Sequence, residues 1–191
     1  MAQISIIGTG NMGRAISAVA AKGNNGVEML GKDDLDKPVT GDIVVLAVPY
    51  PAVDPVLAQR SGQFDNRIVV DITNPLNFET FDSLTVPADS SAAAEIAAKL
   101  PRSRVLKAFN TTFAGTLAEG AVGPLTTTVL IAGDDADAKA ALVGVVTAAG
   151  LKAIDVGSLH RAREMEAIGF LQISLAANEK VPWTGGFGIV N

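Results

Sequence analysis

Three glycines near the start of the chain have the spacing of a phosphate-binding turn. Gln3-Ile4-Ser5-Ile6-Ile7 is an apolar run, and Gly8-Thr9-Gly10-Asn11-Met12-Gly13 follows it directly. A strand, then Gly-x-Gly-x-x-Gly, then a helix is the order a dinucleotide site requires. Gly8 makes the tight turn out of the strand. Gly10 lacks a Cβ, so a pyrophosphate can approach the backbone. Gly13 lets the helix pack against the strand. Free N–H groups and the positive end of the helix dipole then face the phosphates.

A second group of residues sits at the tip of the next strand, Leu30-Gly31-Lys32-Asp33-Asp34. Folds selective for NAD place a carboxylate here, on the ribose 2′-hydroxyl. Gly31 occupies the tip and Lys32 follows it. A small residue followed by a base suits a 2′-phosphate, so NADP is preferred over NAD. The competing reading makes Lys32 an ordinary surface lysine and gives the ribose to Asp33 or Asp34.

Three further segments fall at the carboxyl ends of strands, where open α/β sheets bind ligands. They are Ala47-Val48-Pro49-Tyr50, Thr73-Asn74-Pro75-Leu76 and Ala108-Phe109-Asn110-Thr111. Asn74 and Asn110 have donors and acceptors suited to a nicotinamide amide or a second ring, although each would also serve as a plain loop starter. Phe109 reads as core rather than as a stacking platform. The single histidine, His160, lies between Leu159 and Arg161 and reads as structural or exposed rather than as a catalytic acid. No Ser–His–Asp set and no carboxylate pair stands out. Hydride transfer between two organic rings needs alignment more than acid–base groups, because the cofactors carry the reactivity.

The elements that must position these residues alternate throughout the chain. Apolar residues at Met12, Ala15, Ile16, Val19 and Ala20 have helical spacing, ended by Gly23. Strands are expected near 27–30, 43–47, 67–71, 105–109, 127–132 and 152–156. Helices are expected around 53–59, from Ser91 to before Pro101, over the apolar positions 138–149, and from 159 to 178. Residues 74–90 and 110–126 read as loops. Only twelve residues separate Leu30 from Ile43, fewer than a parallel crossover helix requires. That helix is expected to be missing or reduced. The pattern implies an α/β fold, a doubly wound and mostly parallel sheet in one dinucleotide-binding domain spanning 1–191.

Composition narrows the function. Of 191 residues, 48% are hydrophobic, and the formal net charge of −5 argues against nucleic acid or an anionic membrane as partner. The chain has no cysteine and one histidine, which excludes disulfides, thiolate nucleophiles and multi-histidine metal sites. With no signal-peptide pattern and no apolar run of membrane length, a cytoplasmic protein is expected. Ala167 to Ala177 is apolar nearly all round, which predicts a buried helix and, in so small a chain, a homodimer contact. A wholly intrachain core helix is the other reading.

In combination, several blocks resemble one family. They are Gly8-Thr9-Gly10-Asn11-Met12-Gly13, Leu46-Ala47-Val48-Pro49, Asp71-Ile72-Thr73-Asn74-Pro75-Leu76-Asn77, Lys107-Ala108-Phe109-Asn110-Thr111, Ala132-Gly133-Asp134-Asp135 and Arg161-Ala162-Arg163-Glu164-Met165-Glu166. In this order they are similar to the coenzyme F420-dependent NADP reductases, and to the cytosolic domains of eukaryotic metalloreductases. The resemblance implies a one-domain Rossmann dimer with NADPH on the glycine loop. A flavin or deazaflavin would pack on the nicotinamide, with direct hydride transfer. It places Thr9, Asn11 and Met12 along the pyrophosphate and nicotinamide, Lys32 at the 2′-phosphate, and Pro49, Asn74 and Asn110 against the nicotinamide or second ring. The family's usual Ser-Arg after the second strand is Gly31-Lys32 in this chain. A non-catalytic dinucleotide-binding module, or redox sensor, is the alternative reading.

Overall fold

The computed structural model describes residues 1–190. The chain begins with β1 (Gln3–Ile7), α1 (Asn11–Lys22) and β2 (Gly26–Leu30). It continues through β3 (Ile43–Leu46), α2 (Val53–Arg60), β4 (Ile68–Asp71), α3 (Ala92–Lys99) and β5 (Arg104–Ala108). Next come α4 (Ala114–Glu119), the short strands β6 (Ala121–Val122) and β7 (Leu125–Thr126), and β8 (Thr128–Gly133). α5 (Ala136–Ala148), β9 (Lys152–Gly157) and α6 (Ala162–Ala177) complete it.

Seven strands form one sheet in the order β2-β1-β3-β4-β5-β8-β9. The first five are mutually parallel. Each residue of β3 and β4 is buried, as expected of strands covered on both faces. Side-chain alternation divides the core in two. Ile4, Ile6, Ile43, Val45, Ile68 and Val70 face α1 and α5 on one side. Val44, Leu46, Val69 and Val105 face α2 and α3 on the other. Side chains close the helix starts, Ser91 accepting from Ala94 N at 3.1 Å and Asp135 from Ala138 N at 2.7 Å.

The link from β2 to β3 contains no helix, as the residue count implied. Side chains hold this strap instead. Arg60, buried on α2, donates to the carbonyls of Lys37 (2.7 Å) and Asp34. Glu28 accepts from Thr40 N (2.8 Å), and Ser5 Oγ accepts from Gly41 N (2.7 Å).

Two expectations need correction. Residues 110–126 are not simply loop. They contain α4, whose start is tied by Phe113 N and Thr116 Oγ1 (3.1 Å), and the β6–β7 hairpin. A helix this short leaves too few apolar repeats to be seen. The sheet is mostly parallel, as expected, but β8 pairs antiparallel with β5, Leu106 opposite Gly133, and β9 follows β8 in parallel. α4 and the hairpin turn the chain over before it re-enters the sheet. The last helix is not buried all round. A 3₁₀ turn at Leu159–Arg161 precedes α6. The buried side of α6 includes Glu166, Gly169 and Gln172, while Ile168 and Leu171 are exposed at 39% and 52%. The polar members of that buried side each have a specific partner, which a hydrophobicity pattern does not reveal.

Candidate active site

The glycine turn matches its chemistry position by position. Gly8 has φ +121°, and a Cβ on it would collide with the Ala47 carbonyl of β3. A Cβ on Gly13 would collide with the Gly8 carbonyl, so helix and strand touch there. A Cβ on Gly10 would meet nothing within 4 Å. Its surroundings are open in front of α1, whose start has no side-chain cap and no acidic residue in its first turn. Those N–H groups suit a pyrophosphate.

Two cavities flank this turn. The first, about 270 Å³, is lined by Gly8, Gly31, Lys32, Leu35, Val48, Val56, Gln59 and Arg60 among others. Its size and apolar walls suit an adenosine. At its rim Asp34 Oδ2 accepts from Gly31 N at 2.8 Å, and Lys37 Nζ lies 2.7 Å from Asp34 Oδ1. The Lys37 ammonium, helped by the Gly31 amide, holds the Asp34 carboxyl below its ordinary range. Lys32 is exposed and has no ion-pair partner among the described residues.

The second cavity, about 510 Å³, opens on the other side of the turn. Asn11, Met12, Asn74 and Asn110 line it together with Phe78, Phe81, Phe113 and Trp183. Phe78 and Phe81 meet edge to face, with centroids 5.9 Å apart, and Phe113 and Trp183 lie 4.9 Å apart. Asn110 Nδ2 donates to Asn74 Oδ1 (3.0 Å) and Met165 O (2.9 Å), and Asn74 Nδ2 donates to Asn110 O (2.9 Å). Asn110 Oδ1 is buried without a partner. A buried acceptor without a partner carries an unmet hydrogen-bonding capacity beside the cavity.

A buried ion cluster anchors that wall. Lys107 Nζ, fully buried, contacts Asp71 Oδ2 (2.7 Å), Glu166 Oε1 (2.8 Å) and Thr73 O (2.6 Å). Glu166 also accepts from Ala92 N (2.9 Å) and Ala93 N (3.3 Å). The cluster thus ties together the ends of β4 and β5, the start of α3 and α6. Burial raises the Glu166 carboxyl above its ordinary range, against the pull of Lys107.

Of the residues singled out in sequence, Gly8, Gly31, Lys32 and Val48 meet at the first cavity, and Asn11, Met12, Asn74 and Asn110 at the second. Thr9 and Gly10 are exposed on the turn between them, and Ala47 and Pro49 continue from the end of β3. Pro75, Ala108, Phe109 and Tyr50 line neither cavity. Ala108 and Phe109 are core, the latter with a left-handed backbone at φ 62°. The Tyr50 hydroxyl donates to Glu95 on α3, and burial and that carboxylate push the phenol up. His160 is exposed in a separate groove beside Arg163 and Asp134. The aromatic wall escaped sequence reading. Its members come from the 74–90 loop, the start of α4 and the segment after α6, and no local spacing links them.

The chain is similar to known proteins over most of its length. Residues 32–75 match the family model for NADP oxidoreductases, coenzyme F420-dependent. The F420-dependent NADP reductase of Methanocaldococcus jannaschii is 31% identical over 162 residues, covering 83% of this chain and 72% of that one. Rat metalloreductase STEAP3 is 33% identical over 133 residues, which are 70% of this chain and 25% of that protein. A solved structure from Arthrobacter sp. FB24, described as a candidate F420-dependent NADP reductase, superposes with a TM-score of 0.88 over all of both chains at 22% identity. It shares the fold. Taken with the glycine turn and its two flanking cavities, these likenesses establish that the chain belongs to the F420-dependent NADP reductase family of oxidoreductases.

Proposed function

We propose that the protein moves hydride between NADP(H) and a planar flavin-like or deazaflavin acceptor. The observation that carries this reading is the pair of cavities on either side of one phosphate turn, the smaller apolar and the larger walled by four aromatic rings. The turn and the α1 N-terminus hold the pyrophosphate. The smaller cavity takes the adenosine, with Lys32 at the 2′-phosphate. Asn110 Oδ1 accepts from the carboxamide of the nicotinamide, and Asn74 fixes the Asn110 side chain by their mutual hydrogen bonds. Phe78, Phe81, Phe113 and Trp183 seat the second ring. The bound nicotinamide supplies the hydride; the protein supplies alignment.

Two further readings join this one. One continuous sheet supports treating the chain as a single dinucleotide-binding domain. The exposed Ile168 and Leu171 on α6 support a homodimer through that helix. No described helix is long and apolar enough to cross a membrane.

Stopped-flow oxidation of NADPH with FMN, FAD and coenzyme F420 tests the proposal. Single-turnover oxidation with one of them supports it. Tight NADPH binding with no oxidation by any of the three assigns the protein to the binding-module or sensor reading instead.

A further inference from the structure

Two opposite charges meet at the tip of β2, Lys32 in the lining of the smaller cavity and Asp34 hydrogen-bonded to Gly31 of that lining. Lys32 is an exposed cation with no ion-pair partner among the described residues. Asp34 is a carboxylate folded back onto the tip of β2, its Oδ2 accepting from Gly31 N at 2.8 Å. A Cβ placed on Gly31 would lie 3.5 Å from that same oxygen and 3.5 Å from Thr9 Cγ2. The carboxylate therefore borders the notch between the strand tip and the glycine turn. That is the place where a ribose 2′-hydroxyl meets an acid in folds that take NAD. Asp34 reaches it from three residues further along, one of the two carboxylates that the competing reading of the sequence offers.

Three more charges complete the picture. Lys37 pairs with Asp34 at 2.7 Å. Arg60 grips the Asp34 and Lys37 carbonyls from below. Asp33, next to Lys32, is exposed. A carboxylate offers about four lone-pair directions. Gly31 N and Lys37 Nζ occupy two, which leaves acceptor capacity for ribose hydroxyls. Paired with Lys37, Asp34 repels a 2′-phosphate less than a bare carboxylate would.

We infer that Asp34 is a specificity-determining residue that makes the adenosine site accept the 2′-diol of NAD(H) as well as the 2′-phosphate of NADP(H). Lys32 draws the phosphate, Asp34 draws the diol, and Lys37 sets the balance by masking part of the Asp34 charge. This rests on the dinucleotide reading above, but its test does not depend on any electron acceptor.

Calorimetric titration with NADP+ and NAD+ isolates the 2′ substituent, since the two ligands are otherwise identical. The unaltered protein is expected to bind both, with dissociation constants within about tenfold. Asp34→Asn keeps an acceptor for Gly31 N but removes the charge. It is expected to move the ratio toward NADP+ by about fivefold, the size of one partly exposed charge pair. Lys37→Ala unmasks Asp34 and is expected to move the ratio toward NAD+ by a similar factor. The opposite signs separate a selector from a loop that has simply loosened. A ratio unmoved by Asp34→Asn, with both ligands still bound, overturns the inference and leaves the proposed function intact. Failure of the unaltered protein to bind either dinucleotide overturns both.

Discussion

Asn110 and Asn74 brace each other across the ends of β5 and β4. One side-chain amide runs from Asn110 Nδ2 to Asn74 Oδ1 at 3.0 Å, and the reverse bond runs from Asn74 Nδ2 to the Asn110 carbonyl at 2.9 Å. The pair leaves Asn110 Oδ1 buried without a partner. Asn110→Asp puts a charge on that buried neutral acceptor and removes the donor to Asn74 and Met165. NADP+ binding is expected to weaken by tenfold or more, while binding of adenosine 2′,5′-bisphosphate, which lacks the nicotinamide, stays unchanged. Equal losses for both ligands would mean that Asn110 acts on the fold rather than on the ring.

The glycine turn offers a contrast between two of its members. A Cβ at Gly10 meets no atom within 4 Å, whereas one at Gly13 strikes the Gly8 carbonyl. Gly10→Val is expected to fold with a Tm within a few degrees of the parent and to lose detectable NADPH binding. Gly13→Ala is expected to lose about 2–3 kcal/mol of stability through overpacking. Thermal melts with and without NADPH distinguish the two. Ligand stabilisation retained in Gly10→Val would remove the pyrophosphate from this turn.

Lys107 is the cation shared by two buried carboxylates. Lys107→Met leaves Asp71 and Glu166 uncompensated and is expected to cost about 3–5 kcal/mol in denaturant unfolding. The Glu166 carboxyl carries a pH signature as well. Its folded-state pKa lies above the ordinary 4.5, so the folded state holds that proton more tightly than the unfolded chain. The stability it contributes is full below pH 4.5 and is lost as pH rises through the raised value. Relative to Glu166→Gln, the parent should therefore lose stability as pH climbs from 4.5. A difference curve that is flat or rises over that range would contradict the assignment.

Trp183 is the only tryptophan in the chain and half of its surface is exposed beside the larger cavity. Its emission should report directly on the second ring. Titration with the productive acceptor is expected to quench it, and Trp183→Ala to raise the acceptor KM about five- to tenfold, the loss of one stacking partner. Binding of adenosine 2′,5′-bisphosphate should not change in that variant. An unchanged acceptor KM would place the second ring elsewhere.

The parts of the site that could be read in sequence are the local ones. Gly8 and Gly13 each answer to a close contact, with β3 and within the first turn, and Gly10 to the open space in front of α1, and the spacing alone carries that information. The missing crossover helix follows from counting residues between Leu30 and Ile43. Asn74 and Asn110 sit at strand ends, where topology brings neighbours together. What could not be read depends on partners distant in sequence. Phe78 reaches Phe81 nearby, but Phe113 meets Trp183 across seventy residues. Lys107 looked like part of an apolar strand, and its acids lie 36 and 59 residues away. The reversed direction of β8 is set by α4 and the hairpin, whose six- and two-residue elements leave no periodic trace.

The helix-free strap between β2 and β3 has a consequence for how such a site changes over time. A helical crossover satisfies its own backbone, so a substitution in it disturbs a cooperative unit. In this chain Arg60, Glu28 and Ser5 do that pairing from the sheet and from α2. The strap residues that line the smaller cavity are thereby released from structural duty. Lys32 and Leu35 can be exchanged one at a time against an unchanged scaffold. Preference for one dinucleotide over the other becomes a trait that single substitutions can retune, while the fold beneath it stays the same.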